Sequence, residues 1–556
     1  MQLLLQAAGG QLGACAARVY GQGAHTCTVR ALRRKEISVR LIPAAAILLL
    51  TTLLAAPAAA ESRSPDQVRT DKGVVKGQVL DDRREFKGIP YAAPPVGDLR
   101  WKAPRPAEAW RGVRDATAFA SQCAQPANPF GGPVATYVED CLYLNVTAPR
   151  RAGRLPVMVW VHGGGNLTGT SALYDGAKLA VEGGVVVVTV NYRLGVLGWL
   201  AHPALEAGER YQSGNYGLLD QQAALRWVRR NIAAFGGDPG NVTLFGESAG
   251  GADTCANLAS PTAAGLFHRA IPQSYSCAWP TRTEQEAETA GAGFATAVGC
   301  SDAACLRALP VRTMLESYQE DNPYAVAGAD HVLPAQPYEA FASGRYNRMP
   351  IIHGNTLDEM RLFLSLQYPQ PITVEQYEAF VRGTYGADAD AVLARYPASA
   401  YPDLRIAVAT LLTDFGSPLS TCGHLDALGL FARSGVPVWG YQFADRTAPP
   451  LIDVPGFEEG AYHASELEYL FPGLLPGAGL NAEQERLSDA MVGFWTSFAA
   501  TGRPKAAGWP RYRSTGDVLS LAPGPRGIRT VDPAKASNCA FWASLGTTPR
   551  LRAGGG

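Results

Sequence analysis

Ser248 sits between two glycines in the run Gly246-Glu247-Ser248-Ala249-Gly250. A serine hydroxyl is a weak nucleophile at neutral pH, so it attacks a carbonyl only when a base takes its proton and the chain presents it to substrate. Glycines two positions to either side permit the tight strand-to-helix turn that lifts the oxygen out of the fold. The neighbouring residues fit such a turn. Asn241-Val-Thr-Leu-Phe245 reads as a strand before it, and Ala249-Gly250-Gly251-Ala252 is small enough to open a closely packed helix after it. A second group of glycines, His162-Gly163-Gly164-Gly165, follows the apolar run ending at Val161. It matches a loop whose backbone N–H groups point at the negative oxygen of a tetrahedral intermediate, with the N–H of Ala249 as a further donor. Losing one such donor costs roughly 2.7–4 kcal/mol of barrier. A lone glycine triplet is usually only a flexible turn; beside the serine motif it reads as an oxyanion loop.

The base has to be a histidine, and the chain has eight. His25 lies in the N-terminal segment discussed below, and His162 belongs to the glycine loop. In hydrolases built on this kind of serine turn the chain order is Ser, then acid, then His. His268, His331 and His353 leave little room for an acid between themselves and Ser248. His424 stands beside Cys422 in a helix-like stretch and reads as structural. His463 follows a loop rich in Gly and Pro and precedes Ser465-Glu-Leu-Glu-Tyr-Leu-Phe471, a placement that suits a base reaching toward Ser248. For the acid, chemistry leaves two candidates, Asp358 and Glu359, both just after the apolar run Met349–His353.

These groups need a rigid frame. Continuous apolar runs at 155–164 and 184–193, and the shorter one at 241–245, lack polar alternation and read as strands buried on both faces of a parallel sheet. Leu218 to Phe235 has helical spacing and stops at Gly236-Gly237. Runs at Met349–His353 and Val436–Phe443 read as further strands, and Asn481–Ala500 as a helix. Alternating strands and helices predict an α/β sheet covered on both faces. No linker, internal repeat or low-complexity tract interrupts the chain after Glu61, so residues 61–556 are expected to form one catalytic domain.

The 556 residues are 47% hydrophobic, enough for a large core, and 49 basic residues balance 49 acidic ones. A nucleic-acid partner is not expected, since phosphate binding needs a local excess of Lys and Arg. Arg30-Ala-Leu-Arg-Arg-Lys35, the apolar run Leu41–Ala56 and Ala58-Ala59-Ala60 follow the order of a secretory signal cleaved after Ala60. Residues 1–60 are therefore read as a presequence and the product as secreted, extracellular or periplasmic, with no stable membrane association after cleavage. An uncleaved anchor is the alternative; the apolar run is short for a span of about 20 residues. Two of the ten cysteines fall in that segment; the other eight are an even set, as disulfides in an exported chain require. No cysteine spacing with matching histidines points to a metal site.

The chain resembles the type-B carboxylesterases, the lineage that includes cholinesterases and bacterial para-nitrobenzyl esterases. The resemblance is carried by Glu139-Asp-Cys-Leu-Tyr-Leu-Asn-Val146, by Phe235 to Gly250, by Gly354-Asn-Thr-Leu-Asp-Glu359 and by Gly460-Ala-Tyr-His463. It runs from about Val74 to Trp542. It implies an α/β-hydrolase fold with a large, mostly parallel sheet, helices on both faces and inserted helical segments. It further implies hydrolysis of small carboxylic esters through an acyl-enzyme, without a cofactor or metal. Carried over, Ser248 is the nucleophile, Glu359 the acid, His463 the base, and Gly164, Gly165 and Ala249 the oxyanion donors. The family's disulfides imply Cys123–Cys141, Cys300–Cys305 and Cys422–Cys539, which leaves Cys255 to pair with Cys277. Two departures stand out. Asn166 follows the glycine triplet where the family commonly has an aromatic, and the loop 124–138 lacks the Trp with which cholinesterases hold a quaternary ammonium. Choline esters are therefore not expected as substrates.

Overall fold

Every residue of Val186–Val190, Ile351–Thr356 and Val438–Phe443 is buried, as strands covered on both faces must be. The computed structural model describes residues 64–545 apart from 129–131, 152, 207–210, 212, 320–322, 329–330, 453, 476, 478 and 507. The expected presequence, residues 1–60, lies outside the described residues.

Eleven strands form the main sheet: β1 (Gln78–Val79), β2 (Arg83–Pro90), β3 (Tyr143–Pro149), β4 (Leu155–Val161), β5 (Val186–Val190), β6 (Gly237–Glu247), β7 (Arg269–Gln273), β8 (Ile351–Thr356), β9 (Val438–Phe443), β10 (Val518–Leu521) and β11 (Arg529–Val531). Their spatial order is β11-β10-β9-β8-β7-β6-β4-β5-β3-β2-β1. The seven strands from β10 to β5 run parallel. Antiparallel strands complete both edges. This is the α/β-hydrolase arrangement that the resemblance implies.

Side chains alternate across a strand, and β4 divides accordingly between two cores. Val157, Val159 and Val161 pack with residues of the helices Tyr216–Asn231, Ala249–Ala259 and Thr421–Arg433. Met158 and Trp160 face the other way, toward Ala177–Val181 and the long helix Ala482–Thr501. Inserted helices carry cores of their own. One is built from Leu364, Tyr377, Val392 and Leu411 against Trp542, the other from Phe294, Leu306 and Met314 against Trp101.

Disulfides join Cys123 to Cys141, Cys255 to Cys277, Cys300 to Cys305 and Cys422 to Cys539. The last ties the helix Thr421–Arg433 to the C-terminal helix Cys539–Ser544. No described helix is long and apolar enough to cross a membrane.

Candidate active site

The carboxyl ends of parallel strands form the crevice where open α/β sheets bind ligands. Four loops leave β4, β6, β8 and β9 there, and they carry the residues expected to do chemistry.

The turn after β6 is tight because backbone meets backbone around it. Ser248 has φ 58° and ψ −124°, a strained conformation for a residue with a side chain. A Cβ on Gly250 would stand 2.1 Å from the Val161 carbonyl oxygen, and one on Gly246 2.5 Å from the Gly250 oxygen. Only glycine lets the helix Ala249–Ala259 start so close to β4. The Ser248 N–H donates to the Gln273 carbonyl at 3.0 Å, and the Ser248 carbonyl accepts from Ala252 at 2.9 Å. Its neighbours on both sides are buried, whereas Ser248 itself is partly exposed.

After β4, Gly164 and Gly165 adopt φ 104° and 65°, and a Cβ on Gly164 would lie 2.2 Å from the Thr168 carbonyl oxygen. The Gly164 carbonyl accepts from Leu167 and Thr168, both at 3.0 Å, which closes the loop. Ala249 is the first residue of its helix, where N–H groups lack intrahelical partners. His162 is buried and stacks on Tyr192 at 4.5 Å; burial lowers its imidazole to about 4, so it is a neutral packing residue.

The loop after β8 separates the two candidate acids. Glu359 Oε2 lies 2.5 Å from His463 Nδ1, and its Oε1 accepts from the Thr356 N–H at 2.7 Å. Asp358 points elsewhere. It accepts from Arg446 at 2.8 and 2.9 Å, pairs with Arg361 at 3.1 Å and accepts from the Ala461 N–H at 3.1 Å. Asp358 thus clamps the loop that carries His463, with the Asp358 N–H donating to the Ala461 carbonyl at 2.9 Å. His424 is buried on its helix and stacks on His353 at 4.8 Å.

His463 Nε2 makes no hydrogen bond to a described residue, and the Ser248 hydroxyl is not bonded to it. The nearest charged group to Nε2 is Glu247 Oε1, 3.1 Å away. Burial lowers the His463 imidazole, but Glu247 and then Glu359 outweigh it and raise it well above the ordinary histidine value. Burial raises the Glu247 carboxyl, with the His463 charge pulling the other way. Glu466 behaves likewise, raised first by burial and then by Glu359, and it accepts from Gln273 Nε2 at 3.1 Å. Three buried carboxylates around one imidazole cannot all be ionised, so Glu247 and Glu466 hold protons readily.

Sequence reasoning missed Glu247, which stood only as the variable position of the serine motif, and Asp253. Asp253 lies on the helix after Ser248 with no exposure and accepts from Asn166 and Gln221. Neither had a spacing signal, because their partners come from distant parts of the chain.

The carboxylesterase family profile matches residues 64–542. A fumonisin B1 esterase of Sphingopyxis macrogoltabida is 38% identical over 492 residues, covering 84% of this chain and 88% of that protein. The para-nitrobenzyl esterase of Bacillus subtilis is 37% identical over 480 residues, covering 82% and 94%. Among solved structures, a thermophilic para-nitrobenzyl esterase superposes with a TM-score of 0.73 at 32% identity, over 86% of this chain and all of its own. With this coverage and this fold, the chain belongs to the carboxylesterase family and is a carboxylic ester hydrolase.

Proposed function

We propose that Ser248, His463 and Glu359 act as a nucleophile–base–acid triad that cleaves small carboxylic esters through an acyl-enzyme. Ser248 Oγ attacks the ester carbonyl carbon while His463 Nε2 takes its proton. The tetrahedral oxygen accepts hydrogen bonds from the N–H groups of Gly164, Gly165 and Ala249. Collapse breaks the ester bond, and the proton on Nε2 passes to the leaving alkoxide. Water, deprotonated by the same nitrogen, then attacks the acyl-enzyme and releases the acid. Glu359 keeps the proton on Nδ1 and stabilises the imidazolium. The observation that carries the reading is the 2.5 Å contact between Glu359 and His463 Nδ1, on a ring whose other nitrogen lies 3.1 Å from the carboxylate of Glu247, the residue before Ser248.

The reading extends to the rest of the chain. Residues 1–60 serve as an export presequence and residues 61–556 as the catalytic domain. The secreted product takes small esters other than choline esters and needs no cofactor. Four disulfides support export, since they persist in oxidising compartments.

Hydrolysis of 4-nitrophenyl acetate and butyrate tests the triad. Ser248→Ala is expected to lower kcat by about 10⁴-fold or more with the thermal transition unchanged. Glu359→Gln is expected to be far more damaging to kcat than Asp358→Asn, which should chiefly lower stability by loosening the His463 loop. Turnover unchanged in Ser248→Ala overturns the proposal, and the reverse ranking of the two acids reassigns the acid.

A further inference from the structure

Asn166, where the family commonly has an aromatic, has no exposure, and its side chain points into the protein behind the glycine loop. Its φ of 58° is a left-handed conformation that asparagine tolerates better than most residues. Its carbonyl accepts from the Gly195 N–H at 2.6 Å, which fixes the end of the loop. Each polar atom of the amide is used. Nδ2 donates to Asp253 Oδ1 at 3.2 Å and to the Pro323 carbonyl at 3.0 Å, while Oδ1 accepts from the Tyr192 hydroxyl at 3.0 Å.

Asp253 is equally buried, five residues after Ser248 on the helix that begins at Ala249. Its second oxygen accepts from Gln221 Nε2 at 2.5 Å, and Asn257 Nδ2 braces that glutamine at 2.9 Å. Its neighbours are amides and the hydroxyls of Tyr192, Tyr275 and Tyr324; no described ion pair supplies a cation. A carboxyl buried without a cation weakens a fold, and burial raises this one to about 7 against the pull of Gln221 and Asn166. Local rules broken in this way recur at functional sites.

The placement of the two residues is the informative feature. The proposed oxyanion donors come from two elements, Gly164 and Gly165 on the loop after β4 and Ala249 at the head of the helix. Asn166 is the next residue of the loop, and Asp253 is one turn along the helix. Their contact therefore spans the two halves of the hole. We propose that Asn166 and Asp253 are a positioning pair that locks the loop half of the oxyanion hole to its helix half, and so sets the rate of the step in which charge develops on the carbonyl oxygen. The inference rests on the proposed function, since it takes those three N–H groups as the donors. Neither side chain touches substrate. Together they hold backbone donors whose effect depends on sub-ångström placement. The same amide holds Pro323, so the segment carrying Tyr324 is fixed to the same point.

The test compares Asn166→Ala, Asp253→Ala, the double variant and Asp253→Asn. Active sites are counted by fluorophosphonate labelling of Ser248 taken to completion, so that misfolded protein does not enter the rate. Each alanine variant is expected to lose about 10- to 100-fold in kcat per labelled site, with KM for 4-nitrophenyl butyrate held within about threefold. The double variant is expected to be no slower than the slower single, because the two residues act as one unit. Asp253→Asn keeps the volume but offers one acceptor oxygen to two donors, and is expected to lose part of the same kcat. Lower melting temperatures with kcat per site unchanged would make the pair merely structural and overturn the inference. So would additive losses in the double variant. If the alanine variants do not accumulate, Asp253→Asn decides, and wild-type kcat per site in it overturns the inference. Ser248→Ala run alongside keeps the two proposals apart: inactive Ser248→Ala with fully active Asn166 and Asp253 variants sinks only this one.

Discussion

Glu247 stands beside Nε2 of His463, the nitrogen that accepts the serine proton in the proposed triad, and not beside Nδ1, which Glu359 holds. Its carboxyl is buried 3.1 Å from His463 Nε2, so the pair shares a proton and titrates together. An opposite charge at this distance favours the imidazolium, and only neutral imidazole works as a base. Activity should therefore rise with pH as His463 loses its proton. Removing the Glu247 charge lowers the imidazole's affinity for that proton. Glu247→Gln is thus expected to move the acid limb of kcat/KM to lower pH by about one unit or more. A pH–rate profile on 4-nitrophenyl acetate checks this, and an unmoved limb would show that Glu247 carries no charge when His463 titrates. Ser248 and the glycines stand out in the sequence as candidates because they belong to local motifs with a mechanism, and His463 only by elimination and its place on a loop. Glu359 is preferred as the acid only through the family resemblance, since Asp358 is chemically equivalent one residue away. What separates them is direction: Glu359 reaches the ring, and Asp358 is drawn off by Arg446, Arg361 and the Ala461 N–H.

At the scale of elements, strands were legible where β-branched residues run together, and their starts were not. The strand read at Asn241–Phe245 begins at Gly237 and passes through Asp238-Pro239-Gly240, residues that ordinarily avoid strands. Pairing of Gly237 with Leu155 on β4 overrides that preference. The helix read from Leu218 to Phe235 spans Tyr216–Asn231, tightens into a 3₁₀ turn at Ile232–Phe235 and stops at Gly236 with φ 95°. The disulfides tie elements over very different distances, which gives them different energetic weight. Cys422–Cys539 closes 117 residues and fastens the C-terminal helix, whereas Cys300–Cys305 closes five. Chain entropy assigns roughly 5 kcal/mol to the first and roughly 2 kcal/mol to the second. Replacing Cys422 and Cys539 with Ser is expected to lower the denaturant midpoint clearly more than the same change at Cys300 and Cys305. Equal losses would show that strain or residual structure in the unfolded chain, and not loop closure, sets their contribution.

For the whole molecule, the export reading makes a claim about where the functional chain starts. The family match begins at residue 64, and the first described strand, Gln67–Arg69, pairs with Val74–Lys76. Cleavage after Ala60 would therefore remove nothing that the match or this pairing uses. The four bridges set the complementary demand, since they form only where thiols are oxidised. On the proposed export, the chain leaves the reducing compartment before it finishes folding, by a cleavable signal followed by folding outside. Expressed with residues 1–60 in place, the protein recovered from medium or periplasm is expected to begin at Glu61 and to carry no free thiol. Expressed from Glu61 in a reducing cytoplasm, it is expected to show free thiols and a lower denaturation midpoint. N-terminal sequencing and thiol titration read both outcomes. A product that keeps Leu41–Ala56 and sediments with membranes would make that run an anchor and would place the esterase on a membrane surface.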